Sequence, residues 1–267
     1  MKKISLIVLT VLAIACSQNP ITGRKQLTLL PEDQMNAMAL TEYQTFLTEN
    51  KSKVQATGAN TDLVKKVGTR IAAAVNAYMT QKGLGDRMKG YAWEFNLVKD
   101  SVANAWCMPG GKVVVYTGLL PITQTEAGLA VVMGHEISHA IASHGNERMS
   151  ASMMQELGMT ALDVALANQK EQTRSLFQTA VGIGTQVGVM LPFSRKQESE
   201  ADRMGLIFMA MAGYDPTEAI NFWKRMAANS NGQKPPEFLS THPSDETRIS
   251  DIQNKYLAEA LTYYKKM

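Results

Sequence analysis

The sequence predicts a mainly helical α+β fold with a small antiparallel sheet next to one long apolar helix. Three observations carry that prediction. Two stretches of helical periodicity come before any strand. Two short β-patterned stretches then flank a Pro109-Gly110-Gly111 turn. They lead directly into a long apolar stretch, and further helix starts follow it toward the C-terminus.

The chain has 267 residues and opens Met1-Lys2-Lys3, with Ile4 to Ala15 apolar except for Ser5 and Thr10. A basic start, a short apolar run and small residues read as an export leader. The run is too short to span a bilayer comfortably. Leu12-Ala13-Ile14-Ala15-Cys16 resembles the lipoprotein signal that is cleaved before a lipidated cysteine, with Ala13 where leucine is usual. Ser17 after the cysteine resembles an outer-membrane address. The expected organisation is a leader over 1–15, lipid on Cys16, a tether over 16–30 and a single domain over 31–267, long enough for a sizeable core.

Net charge is +3, and Lys2 and Lys3 supply two of those charges. The chain without its leader is near neutral, which does not suggest a nucleic-acid partner. Cys16 and Cys107 are the two cysteines. With Cys16 lipidated, Cys107 has no partner for an intramolecular disulfide. Flanked by Trp106 and Met108, it reads as a buried structural cysteine rather than a nucleophilic thiol.

Between Ser17 and Leu30 there is no clear period, and Asn19-Pro20 and Thr22-Gly23 are turn signals. Pro31-Glu32-Asp33 starts a helix running to about Glu49, its first-turn acids matching the helix dipole. Asn60-Thr61-Asp62 starts a second, with an apolar stripe of Leu63, Val64, Val67, Ile71, Val75 and Tyr78 and an end near Gly83 or Gly85. Tyr91, Trp93, Phe95 and Leu97 alternate as in a half-buried strand, and Lys112 to Thr117 is a Val-rich strand. The segment Asn104-Ala105-Trp106 is a candidate sheet edge on which a peptide could add as an extra strand. A plain structural hairpin is the other reading.

Thr123 with Glu126 reads as a capping box for the long apolar helix. That helix carries Leu129, Ala130, Val131, Val132, Met133, Ile137, Ala140 and Ile141, so it is expected to be buried. Within it stands His135-Glu136-Ile137-Ser138-His139. Two histidines four apart share a helix face and can hold one Zn²⁺. Glu136 adjoins the first and can reach a water on the ion, which puts a general base beside a Lewis acid. Buried polar groups need partners, so two histidines and a glutamate in such a helix point to a metal site.

A hydrolytic zinc site needs three protein ligands and an open position. His144 lies five residues past His139, which would require the helix to unwind at once; it reads instead as a cap on the helix C-terminus. The third ligand is expected from a helix over Arg195 to about Ala212, with Ser194 and Gln197 as its capping box. Glu198 and Asp202 share a face there, while Glu200 points away. Glu198 is the economical ligand. Asp202 then accepts a proton from the outer nitrogen of a ligand histidine.

Residues 147–193 are Met-rich, then polar, then apolar and glycine-broken. Tight helix packing through small residues is the favoured reading, and a mobile cover over a cleft is the alternative. Asp215-Pro216-Thr217-Glu218 starts a helix with Ile220, Phe222, Trp223 and Met226 on its apolar face. Ser244 or Asp245 caps the last helix. His242 and Arg248 sit in and just after the loop that opens it, placed to stabilise negative charge on an attacked carbonyl.

Taken in order, these segments resemble the zinc metallopeptidase family that includes the HtpX heat-shock protease and the CAAX prenyl proteases, and within it the soluble periplasmic lipoprotein branch. The resemblance rests on Asn104-Ala105 through Pro109-Gly110-Gly111, His135-Glu136-x-x-His139, Ser194-Arg195 with Glu198-x-x-x-Asp202, and Thr241-His242-Pro243 with Arg248. It implies a zincin-like domain with one Zn²⁺ on His135, His139 and Glu198, Glu136 as base and Asp202 in support. It further implies that Asn104 and Ala105 bind substrate, that His242 sits over the metal or assists the transition state, and that Arg248 lies on the oxyanion side. Some relatives carry a C-terminal helical repeat domain, which this sequence does not show, and the membrane-embedded relatives carry spans that are not evident here. The expected activity is cleavage of misfolded or misassembled envelope proteins by a zinc endopeptidase on the periplasmic face of the outer membrane. The competing class is a non-proteolytic chaperone or assembly factor with a latent or structural zinc.

Overall fold

The computed structural model describes residues 16–166, 191–229, 242 and 247–265. It is a mainly helical α+β fold, as the patterning predicts. The chain divides into two compact units, one of residues 1–31 with 143–197, the other of residues 32–142 with 198–267.

In the smaller unit, strands β1 (Cys16–Gln18) and β2 (Lys25–Leu27) pair antiparallel. The Asn19 side chain accepts the backbone N–H groups of Ile21 and Thr22 and so closes the turn between them. The stretch expected to be an irregular tether thus contains a hairpin. A long helix over His144–Leu166 belongs to the same unit. His144 begins that helix rather than capping the one before it, because Ser143 has a left-handed φ of 55° that separates the two. The competing readings of residues 167–190 lie outside the described residues.

In the larger unit, α1 (Glu32–Glu49) and α2 (Ala59–Gln81) come first. The stripe of α2 is buried at Val64, Val67, Ile71, Val75 and Tyr78, as its spacing requires. A four-stranded sheet follows from β3 (Val54–Gln55), β4 (Glu94–Val98), β5 (Ala105–Met108) and β6 (Lys112–Tyr116), in the order β3-β4-β6-β5. The pairings are antiparallel except β4 with β6, which run parallel. Gly110 and Gly111, with φ of 80° and 83°, make the β5–β6 turn that a side chain would strain. One sheet face holds Val114 against Tyr43 and Phe46 of α1, with Trp106, Met108 and Tyr116 around them. The other face carries Phe95, Leu97, Val113 and Val115. Among the described residues β5 ends the sheet, so Ala105 lies on an edge, as expected.

Short helix α3 (Leu120–Thr123) leads to α4 (Glu126–Ile141), the buried helix. The expected Thr123 box does not form. Thr123 closes α3, Gln124 reverses the chain with φ of 61°, and Thr125 is the cap, its hydroxyl accepting Gly128 N–H at 2.9 Å. The second expected box is also displaced: α5, here given to His144–Leu166, is followed by α6 over Leu191–Met211, which puts Ser194 inside the helix. Helix α7 (Glu218–Ala228) starts as predicted, with Asp215 accepting the backbone and hydroxyl of Thr217. The last helix runs as α8 (Thr247–Asp251), a π turn over Ile252–Tyr256 and α9 (Leu257–Tyr263). The expected cap at Ser244 or Asp245 lies outside the described residues. Among the described residues, no helix is long and apolar enough to cross a membrane.

Candidate metal centre

Helix α4 places His135 and His139 one turn apart on one face, and Glu198 comes from the facing helix α6. The two helices can approach this closely because glycines meet at their crossing. A Cβ on Gly134 would come within 2.9 Å of the Gly205 carbonyl oxygen, and one on Gly205 within 2.8 Å of the His135 nitrogen. Both neighbours are backbone, so the gap is closed to any side chain. The close crossing brings a carboxylate of moderate length to two imidazoles.

The donor atoms converge. His135 Nε2 lies 3.1 Å from His139 Nε2 and 3.3 Å from Glu198 Oε2, and His139 Nε2 is 3.3 Å from Glu198 Oε1. His242 joins them, its Nδ1 lying 3.3 Å from His135 Nε2 and 3.1 Å from Glu198 Oε1. A tetrahedral zinc with bonds of about 2.0–2.1 Å needs donors roughly 3.3 Å apart. These four residues therefore fit one zinc ion, and all four are buried. The resemblance implied that His242 sits over the metal or assists the transition state; the geometry puts it in the donor set itself.

The surrounding groups fix the donors. Asp202 Oδ1 lies 2.9 Å from His135 Nδ1 and accepts its proton, which leaves Nε2 for the ion. Arg248 Nη2 donates to the same oxygen at 2.6 Å and lies 3.6 Å from Glu198 Oε2. Its guanidinium stacks 3.5 Å above the Trp223 ring, which also meets His135 edge to face. Glu136 is buried beside the quartet, its Oε1 3.4 Å from His242 Nε2.

The electrostatics follow from these contacts. Burial by itself would lower the pKa of His135, but Asp202 and Glu198 outweigh it and push the value up to about 9. Burial opposes the charge on Glu198, yet bonds from the three histidines hold its carboxyl far below the usual range. Burial opposes Asp202 in the same way, and Arg248 together with His135 overcomes it. A carboxylate pair that raises an imidazole's proton affinity also raises its basicity toward a divalent cation. Cys107 is half-buried on β5, and burial, reinforced by the Glu136 charge, pushes its thiol up. That is opposite to what a nucleophilic thiol needs.

Of the residues expected at the site, His135, Glu136, His139, Glu198, Asp202, His242 and Arg248 come together; Ala105 lies on the edge strand, with Asn104 just before it. His144 is buried at the start of α5. Sequence reasoning read Trp223 only as part of an apolar face and passed over Gly134 and Gly205. A glycine directly before His135, and another three residues after Asp202, were available as a signal of close helix contact.

Comparison with known proteins adds a separate line. The mitochondrial metalloendopeptidase OMA1 of Schizosaccharomyces pombe is 34% identical over 247 residues, covering 90% of this chain and 66% of that protein. The OMA1 metalloendopeptidase of Saccharomyces cerevisiae is 35% identical over 187 residues, 67% of this chain and 51% of its own length. The Beta-barrel assembly-enhancing protease of Escherichia coli is 28% identical over 201 residues, 73% of this chain and 38% of the relative. The chain thus spans about a third to two thirds of the length of these relatives. Residues 61–256 match the sequence profile of Peptidase family M48. That match encloses all four donors, Glu136, Asp202 and Arg248, and with them in place this chain belongs to peptidase family M48.

Proposed function

We propose that this chain is a zinc-dependent endopeptidase of the bacterial cell envelope, with Glu136 as general base. The observation that carries the reading is the convergence of His135, His139, Glu198 and His242 on one ion-sized point, with a buried glutamate beside it. A bound zinc would lower the pKa of a water and polarise a peptide carbonyl. His135, His139 and Glu198 would hold it. Glu136 takes the water's proton and returns it to the leaving amine. Asp202 keeps the His135 ring in one tautomer and orientation. Arg248 Nε and Nη1 are buried without a hydrogen bond among the described residues. They are the donors we assign to the oxyanion side. Strand β5 offers its outer edge to an extended peptide, with Asn104 and Ala105 at its start and Cys107 on the face toward Glu136.

His242 fills the corner that a catalytic site leaves open. Turnover therefore requires its displacement, and the arrangement described is a closed form. This same observation favours a second reading, a latent site in a non-proteolytic chaperone for envelope proteins. Incubating the chain with an unfolded polypeptide, with and without a chelator, separates the two. Chelator-sensitive fragments support the enzyme; protection of the polypeptide without cleavage supports the chaperone. Glu136→Gln is expected to abolish cleavage and keep one zinc per chain, and near wild-type turnover by that variant would refute the assignment of the base.

The substrate class we infer is misfolded or misassembled outer-membrane or periplasmic protein. The E. coli relative's name, an assembly-enhancing protease for β-barrels, points the same way. On this reading the chain belongs to the soluble periplasmic lipoprotein branch of its family. Residues 1–15 are a leader, Cys16 carries lipid on the periplasmic face of the outer membrane, residues 16–30 tether it, and residues 31–267 form the peptidase domain.

A further inference from the structure

The C-terminal helix is interrupted by a π turn over Ile252–Tyr256. Such a turn takes an extra residue, is energetically unfavourable for its length, and survives where it places a side chain that an α-helix would misplace. The side chain here is Tyr256. Its Oη lies 2.5 Å from Ser199 Oγ, on the residue next to the zinc ligand Glu198. The register explains the cost. Arg248 and Tyr256 are eight residues apart, which in an unbroken α-helix turns the second about 80° away from the first. One extra residue in the path reduces that offset to roughly 20°. Arg248 and Tyr256 then address helix α6 together, Arg248 through Asp202 and Tyr256 through Ser199. Glu259, on α9, holds Arg203 of α6 by two bonds of 2.7 and 2.9 Å.

We propose that Tyr256 is a positioning residue for the metal centre, delivered by the π turn, and that its bond to Ser199 fixes the rotation of α6 on which Glu198 is carried. A serine inside a helix otherwise bonds back to a carbonyl of the preceding turn and bends the helix. Engaged by Tyr256, Ser199 does not. Glu198 and Ser199 are neighbours, so a small rotation of α6 at this point moves the carboxylate directly. Donors about 3.3 Å apart leave little tolerance for such a shift. The inference rests on the zinc reading above and extends it to a side chain that touches neither ion nor ligand.

The experiment is a zinc titration of the full chain against a chromophoric chelator. Wild type comes first: uptake of much less than one zinc per chain would remove the metal site itself and this inference with it. Given one zinc, Tyr256→Phe and Ser199→Ala are each expected to weaken binding about tenfold, at the low end for groups outside the ligand set. The double variant is expected to be no weaker than either single one, because one contact is lost in all three. Ser199→Thr, which keeps a hydroxyl, is expected to bind within about threefold of wild type. Deleting the exposed Asn254 closes the π turn into an α-helix with Tyr256 seven residues after Arg248, at the same offset of roughly 20°, and is expected to keep zinc binding at the wild-type level as long as Tyr256 is present. Metal-free unfolding midpoints should stay at the wild-type value for the two point variants, which separates positioning from loss of fold. Zinc affinity of Tyr256→Phe within about twofold of wild type, or a double variant as weak as the product of the singles, would overturn the proposal while leaving the metal site standing.

Discussion

Asp202 Oδ1 accepts from two donors at once, His135 Nδ1 and Arg248 Nη2. Replacing it with asparagine keeps the shape and removes the charge. We expect Asp202→Asn to weaken zinc binding by about 10–100-fold. Arg248, buried over Trp223, would also lose its nearer counter-charge and keep only Glu198 at 3.6 Å, at a cost of about 1.5–3 kcal/mol. Zinc titration and denaturant unfolding of the metal-free protein measure the two effects separately. Asp202 was legible in the sequence because its relation to Glu198 is local: four residues on a helix share a face whatever the rest of the chain does. The same holds for His135, Glu136 and His139. Trp223 was not legible as a site residue, because its place beneath Arg248 depends on how α7 meets α8, and helical spacing carries no information about that. His242 lies between these cases. Its nearness to the metal followed from resemblance, but its entry into the donor set is a matter of ångströms that a loop sequence does not encode.

At the scale of elements, the crossing of α4 and α6 decides whether the donors meet. Gly205→Ala places a methyl within 2.8 Å of the His135 nitrogen and 2.9 Å of the Gly134 carbonyl carbon. Neither can rotate away, so the helices must separate. We expect a loss of about 1–3 kcal/mol in the metal-free protein, the usual range for overpacking. Zinc affinity should fall as well, since separation lengthens every distance from Glu198 to the histidines. Calorimetry of the apo and zinc-loaded forms checks both parts; an unchanged gap between them would refute the link between crossing and site. The elements themselves were largely readable: α1, the sheet strands and α7 follow periods and start signals that act over a few residues, and α2 follows its period although it begins at Ala59 behind Gly58, ahead of the expected start at Asn60-Thr61-Asp62. The helix starts at Thr123 and Ser194 were misplaced for a physical reason. A hydroxyl three residues before an acid or amide can cap a helix, but the pattern does not say whether the helix already exists there. At Thr123 a short preceding helix uses the hydroxyl, which donates to the Leu120 carbonyl, and Thr125 takes the cap. At Ser194 the helix has begun by Leu191. Gln197, assigned to the second box, instead donates to the Glu147 carboxylate.

The smaller unit of the molecule is assembled from distant parts of the chain, and Glu147 is where they join. Arg24 grips its carboxylate with bonds of 2.6 and 2.8 Å, and Gln26 and Gln197 each donate to it at 3.0 Å. Asn146 adds a bond to the Leu30 carbonyl and Ser150 accepts the Leu29 N–H. Nothing in the periodicity of residues 17–30 announces this hairpin, because its stability resides in a partner more than a hundred positions away. Burial opposes the Glu147 charge, but the Arg24 bonds and the two glutamines more than offset it and hold its carboxyl below the ordinary value. A carboxyl depressed in the folded state adds stability above its unfolded pKa, and that contribution disappears as pH falls through the folded value. The unfolded value is the ordinary 4.5. Glu147→Gln should therefore cost about 2 kcal/mol at pH 7, the scale of hydrogen bonds to a charged group. The difference from wild type should narrow as pH drops below about 4.5, where Glu147 of the unfolded chain takes up a proton, and should be gone once pH has fallen through the lowered value of the folded state. Hydrogen exchange should show where the loss falls, with residues 17–29 exchanging faster in Glu147→Gln at neutral pH and the amides of α4 unchanged. A stability difference that stayed constant from pH 7 to pH 3 would mean that the charge of Glu147 does not hold the N-terminal hairpin in place.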